Sequence, residues 1–366
     1  MTAHPLPLRR GLASLVAAIA ALAPLWLAGC SRTPDLQYAS SREVLALEEA
    51  LQAQVRRHLE ALCGTPQQPR LLGQDDLDPQ YLRLGQRVYQ RHCAACHGTS
   101  GDGAGPVAEI MNPRPRDYRK GAFKFISTPY GSKPLREDLV RTIRVGIRGT
   151  SMPSFRLLPD AELQPVVDYV LALTHRGELE LRLAIEAEDE GEIDPEVLPD
   201  LVEEVLSPWE LARGQVIVPP IAEPPYTRDS VELGRQAFLT EKAGCFKCHG
   251  ADGTGRTSEN EQGFVDTWGQ RTRAADLTSG LFRGGGEPID IYRRIDGGVN
   301  GTPMPSYHQA LAAQPETIWH LVHYVQYVSD ARRRQVRDQY RRLTRPERVP
   351  SDAPSAGTAD TSQAGG

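Results

Sequence analysis

Hydrophobic residues recur at intervals of three and four along much of this 366-residue chain, which is the spacing of amphipathic helices. One apolar stripe near the N-terminal end consists of Leu47, Leu51, Val55, Leu59 and Leu62. Similar periodicity marks residues 166–173, 179–187, 202–211 and 318–328. The pattern predicts a mainly α-helical protein. Because Cys63 continues the first stripe, we expect it to be a buried thiol with a structural role.

The N-terminal segment has the pattern of an export signal. Two arginines precede an apolar run over residues 11–27, which is long enough for a signal-peptide core and slightly short for a membrane span. The run ends in Leu-Ala-Gly-Cys, which resembles the bacterial lipobox and implies that Cys30 becomes the lipid-bearing N-terminus. The alternative is an uncleaved membrane anchor in which Cys30 is incidental. Both predict export, to the periplasmic side of a membrane, and Ser31 favours the outer membrane in a Gram-negative cell.

Two segments of the chain resemble each other, and this repeat is the most informative feature of the sequence. The first copy opens with RLGQRVYQRHCAACH at residues 83–97, and the second opens with ELGRQAFLTEKAGCFKCH at residues 232–249. Both copies later reach a Thr-x-Met-Pro-Ser sequence. In each copy the methionine, Met152 or Met304, lies 55 residues after the last histidine of the opening segment. We therefore predict two domains of the same fold, each ending in a helix.

Composition and charge narrow the function classes and the domain plan. The net charge of −5 and the lack of a long Lys/Arg-rich surface argue against a nucleic-acid binder. Between the copies the chain is first acidic and then rich in proline, which predicts a partly helical linker with an extended end. The predicted organisation is a lipoprotein signal peptide (1–29), a tether with an amphipathic helix (30–79), a first domain (80–176), a linker (177–228), a second domain (229–330) and a basic helix with a disordered tail (331–366).

Each copy contains a Cys-x-x-Cys-His motif, formed by Cys93, Cys96 and His97 in the first copy and by Cys245, Cys248 and His249 in the second. This is the attachment sequence of c-type haem, in which two thiols one helical turn apart bond to the porphyrin and the histidine becomes an axial iron ligand. Chance would place about 0.002 such motifs in a chain of this composition. A thioredoxin-like pair would need a βαβ context, and a zinc half-site would need further ligands. The motifs predict two covalently bound haem c groups.

With these motifs, the chain resembles the class I cytochrome c family as two fused domains. The resemblance implies that a methionine on a loop before the last helix of each domain is the second axial ligand, and Met152 and Met304 match that position. The alternative role for either methionine is core filling. Packing is the expected role of Met111, which has no counterpart in the second copy.

The resemblance also implies supporting contacts around the haem. The family orients its proximal histidine through a backbone carbonyl, often that of a proline in a glycine-rich loop, and Pro106 matches this role for His97. The second copy has Gly255-Arg256 where that proline would be. Five basic residues could pair with haem propionates or form a solvated face: Arg114, Arg116, Arg119, Lys120 and Lys124.

The predicted function is single-electron transfer by a dihaem cytochrome with redox protein partners, between a quinol-oxidising complex or dehydrogenase and a terminal oxidase or reductase. Ligation by methionine and histidine closes both irons and raises their potentials, so we expect neither catalysis nor a small-molecule substrate. One alternative is a dihaem enzyme of the peroxidase or thiosulfate-oxidising type, which needs an iron with an open axial site. Another is a fixed haem subunit of a respiratory complex.

Overall fold

The structure is a computed structural model that describes residues 36–344, so the predicted signal peptide, Cys30 and the C-terminal tail lie outside the described residues. The α-helices are α1 (Arg42–Leu45), α2 (Glu49–Cys63), α3 (Pro79–His92), α4 (Ala94–His97), α5 (Arg136–Val145), α6 (Asp160–Glu190), α7 (Leu198–Ala212), α8 (Arg228–Phe238), α9 (Cys245–His249), α10 (Ser258–Gln262), α11 (Pro288–Asp296), α12 (His308–Leu311) and α13 (Glu316–Thr344).

Short 3-10 helices occupy Ala108–Ile110, Pro195–Val197 and Leu277–Ser279. Strands β1 (Phe264–Val265) and β2 (Arg271–Thr272) form a two-stranded antiparallel hairpin in which Phe264 pairs with Thr272. The prediction of a mainly α-helical fold is confirmed. Within residues 36–344, none of the helices combines the length and the apolar character that crossing a bilayer requires.

Both repeat copies are built on the same helix crossing. In the first, α3 begins after the cap Asp78, whose side chain accepts a hydrogen bond from Gln80 N at 2.9 Å, and α3 then packs across α6. A Cβ atom at Gly85 would collide with the carbonyl oxygen of Pro165, so the crossing needs glycine. In the second copy, α8 packs across α13. There, a Cβ at Gly234 would collide with the carbonyl oxygen of His320.

Each repeat domain has its own hydrophobic core, and a third core joins the N-terminal helices to the segment between the domains. Helix α6 runs for 31 residues, so the predicted domain boundary between residues 176 and 177 lies inside a continuous helix. Its second half packs against α2 and α7. The buried members of this core include Val55, Leu59, Cys63, Leu179, Leu183 and Ala187. Cys63 is 2% exposed, which agrees with the predicted structural thiol, and burial raises its pKa to about 12.

The two repeat domains contact each other through polar side chains. Arg141 on α5 donates to Asp290 Oδ1 on α11 at 2.9 Å and to the Gly284 carbonyl oxygen at 2.8 Å. Arg293 holds the position in the second copy that Arg141 holds in the first, but it donates to the Ile217 carbonyl oxygen at 3.3 Å. Ile217 N in turn donates to the Ser127 carbonyl oxygen of the first domain at 2.8 Å, so the linker is part of the contact between the domains.

Candidate haem-binding sites

Each Cys-x-x-Cys-His motif folds into one short helical turn. In the first domain, the amides of Cys96 and His97 donate to the Cys93 carbonyl oxygen at 3.1 and 2.9 Å. In the second, helix α9 spans Cys245–His249. The turn brings the two cysteines of each motif to the same side of the backbone, and all four are half-buried. This is the arrangement that attachment to two neighbouring edges of a porphyrin requires.

Both motif histidines are oriented by a backbone carbonyl. His97 Nδ1 lies 3.1 Å from the Arg116 carbonyl oxygen, and His249 Nδ1 lies 3.0 Å from that of Ala275. A proton on Nδ1 makes each bond and leaves Nε2 free as a ligand. Burial lowers the pKa of both histidines, which favours the neutral imidazole that binds iron.

The prediction that Pro106 orients His97 is wrong. The loop that contains Pro106 is instead hydrogen bonded to the motif helix itself, through Gly105 N to the Cys96 carbonyl oxygen and Val107 N to the Ala95 carbonyl oxygen, both at 3.2 Å. With that loop held against the backbone of the motif, the next stretch of chain supplies the carbonyl that faces the imidazole.

The two methionine loops have the same hydrogen-bond pattern. Met152 N donates to Thr150 Oγ1 at 3.1 Å, and the Met152 carbonyl accepts from Ile147 N at 3.1 Å. In the second domain, Met304 N donates to Thr302 Oγ1 at 3.3 Å and its carbonyl accepts from Val299 N at 3.1 Å. Each threonine hydroxyl also donates to the carbonyl that opens its loop. The repeated Thr-x-Met-Pro-Ser sequence marks both loops, but it does not show that the threonine hydroxyls close them.

The first domain contains a cavity of about 920 Å³, at the upper end of the range for cofactor and ligand pockets. His97, both motif cysteines and Met152 line it, so the structure brings the predicted ligands of the first site together. Met111 lines the same cavity. Apolar side chains form much of the remaining wall: Tyr89, Phe123, Leu139, Ile143, Phe155 and Val170. A cavity of this size with an apolar wall fits a large planar ring.

The cavity also carries more positive than negative side chains. Of the five basic residues singled out in the sequence, Arg114, Arg116 and Lys124 line it, whereas Arg119 makes a two-point ion pair with Asp117. Arg271, Arg273 and Arg283 of the second domain line it as well, against Asp266 and Asp276.

Several positive side chains at this cavity are partly buried, and this burial makes their charged forms less stable unless an anion lies nearby. Burial, together with the charges of Arg116 and Arg283, lowers the pKa of Lys124. Burial also lowers the pKa of Arg116 to about 10, although Asp266 acts in the opposite direction. Partly desolvated cations that repel one another fit a ligand with carboxylates, as haem has in its propionates.

The second domain has a different aromatic residue after its methionine loop. Tyr307 lies three residues after Met304, where the first domain has Phe155 after Met152. Its pKa is raised to about 12, mainly by burial and further by the neighbouring Cys245 and Cys248. Cys245 and Tyr307 both pack against the core of the second domain. Tyr307 therefore extends the apolar surface beside the thiol pair.

The thiols themselves do not favour the alternative chemistries. Burial raises the pKa of Cys93 and Cys245 to about 12, whereas a redox-active thiol pair needs an accessible thiolate. In the part of the chain that the structure describes, His, Cys, Asp and Glu nowhere gather in a group of three or more that could hold a metal ion.

The remaining histidines have other contacts. His320 and His323 share the hydroxyl of Ser230, at 2.7 and 2.5 Å from their Nδ1 atoms. His308 lies 3.0 Å from Asp296, and the buried His175 packs edge-on against Trp209.

Two helical domains, each with a thiol pair, an oriented histidine and a methionine loop, define a protein that binds haem c. Two family models match the chain: "Cytochrome C oxidase, cbb3-type, subunit III" over residues 80–170, and "Cytochrome c" over residues 231–329. The chain belongs to the cytochrome c family, with two cytochrome c domains, and its general function is electron transfer.

A solved structure is similar to about two thirds of the chain. It is a chain of the Kuenenia stuttgartiensis reducing HAO-like protein complex Kustc0457/Kustc0458, with 31% sequence identity and a TM-score of 0.53. The similarity covers 67% of this chain and 95% of that one. No curated protein matches the chain significantly.

Proposed function

We propose that the protein carries two covalently attached haem c groups and passes single electrons between redox protein partners. Cys93 and Cys96 would hold the first group, with His97 and Met152 as iron ligands. Cys245, Cys248, His249 and Met304 would do the same in the second domain. The observation that carries the proposal is the pair of matching methionine loops, each closed by the same threonine hydrogen bonds.

The residues of each site prepare the cofactor for electron transfer. When bound, each haem would supply a one-electron redox centre, with His97 and Met152 as the residues that would hold the first iron and His249 and Met304 the second. The carbonyls of Arg116 and Ala275 fix the tautomer of the two histidines. The threonine-closed loops hold the methionines, and apolar side chains form much of the wall of the first site. Neither domain uses a general acid, a general base or a nucleophile in this process.

We further propose that the chain works in an exported respiratory chain, anchored to a membrane on the periplasmic side through a lipid on Cys30. The support is the sequence pattern of residues 1–30. A quinol-oxidising complex or a dehydrogenase would supply electrons, and a terminal oxidase or reductase would receive them, because His/Met ligation gives relatively high potentials.

A second candidate is a haem subunit docked permanently on an oxidoreductase. The observation that favours it is the similar chain from the reducing HAO-like complex, which is matched over 95% of its length. The two candidates share the electron-transfer chemistry and differ in the lifetime of the contact with the partner. Co-purification of a stoichiometric partner at high salt would favour the docked subunit.

Haem counting and ligand access test the main proposal. After acid–acetone extraction, a pyridine haemochrome assay should find two haems per chain, and a Cys245→Ser, Cys248→Ser double variant should retain one. Cys63→Ala is the matched cysteine control and should retain both. The wild-type protein should not bind carbon monoxide when reduced, whereas Met152→Ala and Met304→Ala should each open one iron.

Met111→Ala is the control for the first methionine, because Met111 and Met152 line the same cavity. If Met111→Ala opens the iron and Met152→Ala does not, the ligand assignment in the first domain is wrong. Carbon monoxide binding or rapid peroxide turnover by the wild-type protein would replace the carrier with an enzyme that has an open haem.

A further inference from the structure

A hairpin of the second domain reaches across to the haem cavity of the first. Strands β1 and β2 flank a turn at residues 266–270, and several residues of this hairpin, including Asp266 and Arg271, line the cavity. Asp266 Oδ1 accepts from the amides of Trp268 and Gln270 at 3.1 and 2.9 Å, and Lys124 Nζ of the first domain donates to Oδ2 at 2.9 Å. The Asp266 side chain is only 2% exposed. The turn is therefore held in one shape and tied to the first domain.

Trp268 at the tip of this turn contacts the segment that orients the first histidine. Its indole N–H donates to the Asp117 carbonyl oxygen at 2.9 Å. The guanidinium carbon of Arg116 lies 3.5 Å from the centre of the indole ring, which is a close cation–π contact. Arg116 is also the residue whose carbonyl faces His97. Trp268 thus holds both the side chain of Arg116 and the carbonyl group of the residue that follows it.

The six-membered ring of the same indole also contacts the methionine loop of the second domain. A Cβ atom at Gly301 would lie 2.5 Å from Cη2 and Cζ3 of Trp268, so the ring rests on the glycine backbone. Thr267 N adds a hydrogen bond of 3.0 Å to the Gly301 carbonyl oxygen. Gly301 lies three residues before Met304 and next to Thr302, which closes the loop.

We propose that Trp268 is a positioning residue for both haem sites at once. It connects the backbone that orients His97 in the first domain to the loop that presents Met304 in the second. The inference rests on the proposed function, because it assigns Trp268 a role only when both haems are bound. Its consequence is that the two midpoint potentials depend on one shared side chain.

The experiment is a redox titration of Trp268→Ala in the dihaem protein, followed by NMR of methyl-labelled methionine. The chain has four methionines, so the methyl signals of Met152 and Met304 can be assigned by substitution, and each reports the oxidation state of its own iron. We expect both midpoint potentials to shift, that of the second haem to lower values because its methionine is held less firmly. Trp268→Phe keeps a ring beneath Arg116 and against Gly301, so both potentials should return toward the wild-type values.

Arg141→Gln is the matched control, because it breaks another interdomain contact that involves neither the His97 carbonyl nor the Met304 loop. It should leave both potentials in place. A Trp268→Ala protein in which one or neither potential moves would overturn the proposal, and so would an equal shift of both in Arg141→Gln. Fewer than two haems in the wild-type protein would instead contradict the proposed function.

Discussion

The hydroxyls of Thr150 and Thr302 each make two hydrogen bonds within a methionine loop. Thr302→Val keeps the shape of the side chain and removes both bonds, so we expect a cost of roughly 1–3 kcal/mol. The Met304–iron bond should weaken, and the red charge-transfer absorption of Met-ligated ferric haem should fall by about half while haem content stays at two per chain. Optical spectra of the ferric protein, with thermal unfolding, measure both effects.

Thr240→Val is the control for this substitution. The Thr240 hydroxyl also donates to a carbonyl three residues earlier, at 2.7 Å, but it lies in an exposed turn outside both loops. Its loss should leave the absorption unchanged. An unchanged spectrum in Thr302→Val would mean that the backbone holds Met304 without the hydroxyl.

At the residue scale, the sequence identifies the side chains proposed to bind haem. It does not identify the backbone carbonyls that orient the two histidines. The motif cysteines, motif histidines and loop methionines have chemistry in their side chains and a fixed spacing, so the repeat exposes them. The carbonyls that face His97 and His249 belong to Arg116 and Ala275. Every residue has a backbone carbonyl, so the sequence does not distinguish these two from the others. Only the fold shows which one reaches the imidazole.

At the scale of helices, we expect the glycine at each helix crossing to be required for the close approach of the two helices. Gly234→Ala would force its Cβ against the His320 carbonyl oxygen, and helices α8 and α13 would have to move apart. Overpacking of this kind costs typically 1–3 kcal/mol. We expect a lower thermal midpoint in an unfolding experiment. Amide hydrogen exchange should become faster along α13 of the second domain and change little along α6.

Gly214→Ala is the matched control, because the nearest atom to its added Cβ would be the Leu211 carbonyl oxygen at 3.8 Å. This variant should unfold as the wild type does. If Gly234→Ala were equally harmless, the close approach of the two helices would not be a requirement of the fold.

The lengths of α6 and α13 show where helix prediction from the sequence ends. The apolar periods at residues 166–173 and 179–187 correctly indicate helix, and the structure joins them into one continuous helix, as it joins residues 318–328 to the start of the predicted basic helix. In α6 the continuation is stabilised by Leu179 and Leu183, which pack against α2 from the N-terminal segment. The sequence shows both stripes but not their pairing, because nothing in either stripe specifies its partner.

At the scale of the whole molecule, the membrane anchor is the prediction that a single substitution tests. Cys30→Ser should abolish lipid attachment, so the protein should leave the membrane fraction or remain unprocessed while its haem content stays unchanged. Acyl chains contribute about 0.8 kcal/mol for each buried CH₂, so two or more chains hold a protein firmly. Fractionation with salt and with detergent gives the measurement.

Ser31→Ala keeps the cysteine and should stay with the membranes. Release of the wild-type protein by salt alone would show that its attachment is electrostatic and that Cys30 carries no lipid.

The ion pair between Arg141 and Asp290 makes the contact between the two copies asymmetric. When two identical subunits meet about a two-fold axis, every contact occurs twice, with the roles of the subunits exchanged. The exchanged contact here would join Arg293 to Asp138, yet Arg293 donates to the linker at Ile217. The present interface is thus directional, because the contact made by one copy is not repeated with the roles of the two copies exchanged. The order in which the two copies are joined is therefore part of the structure.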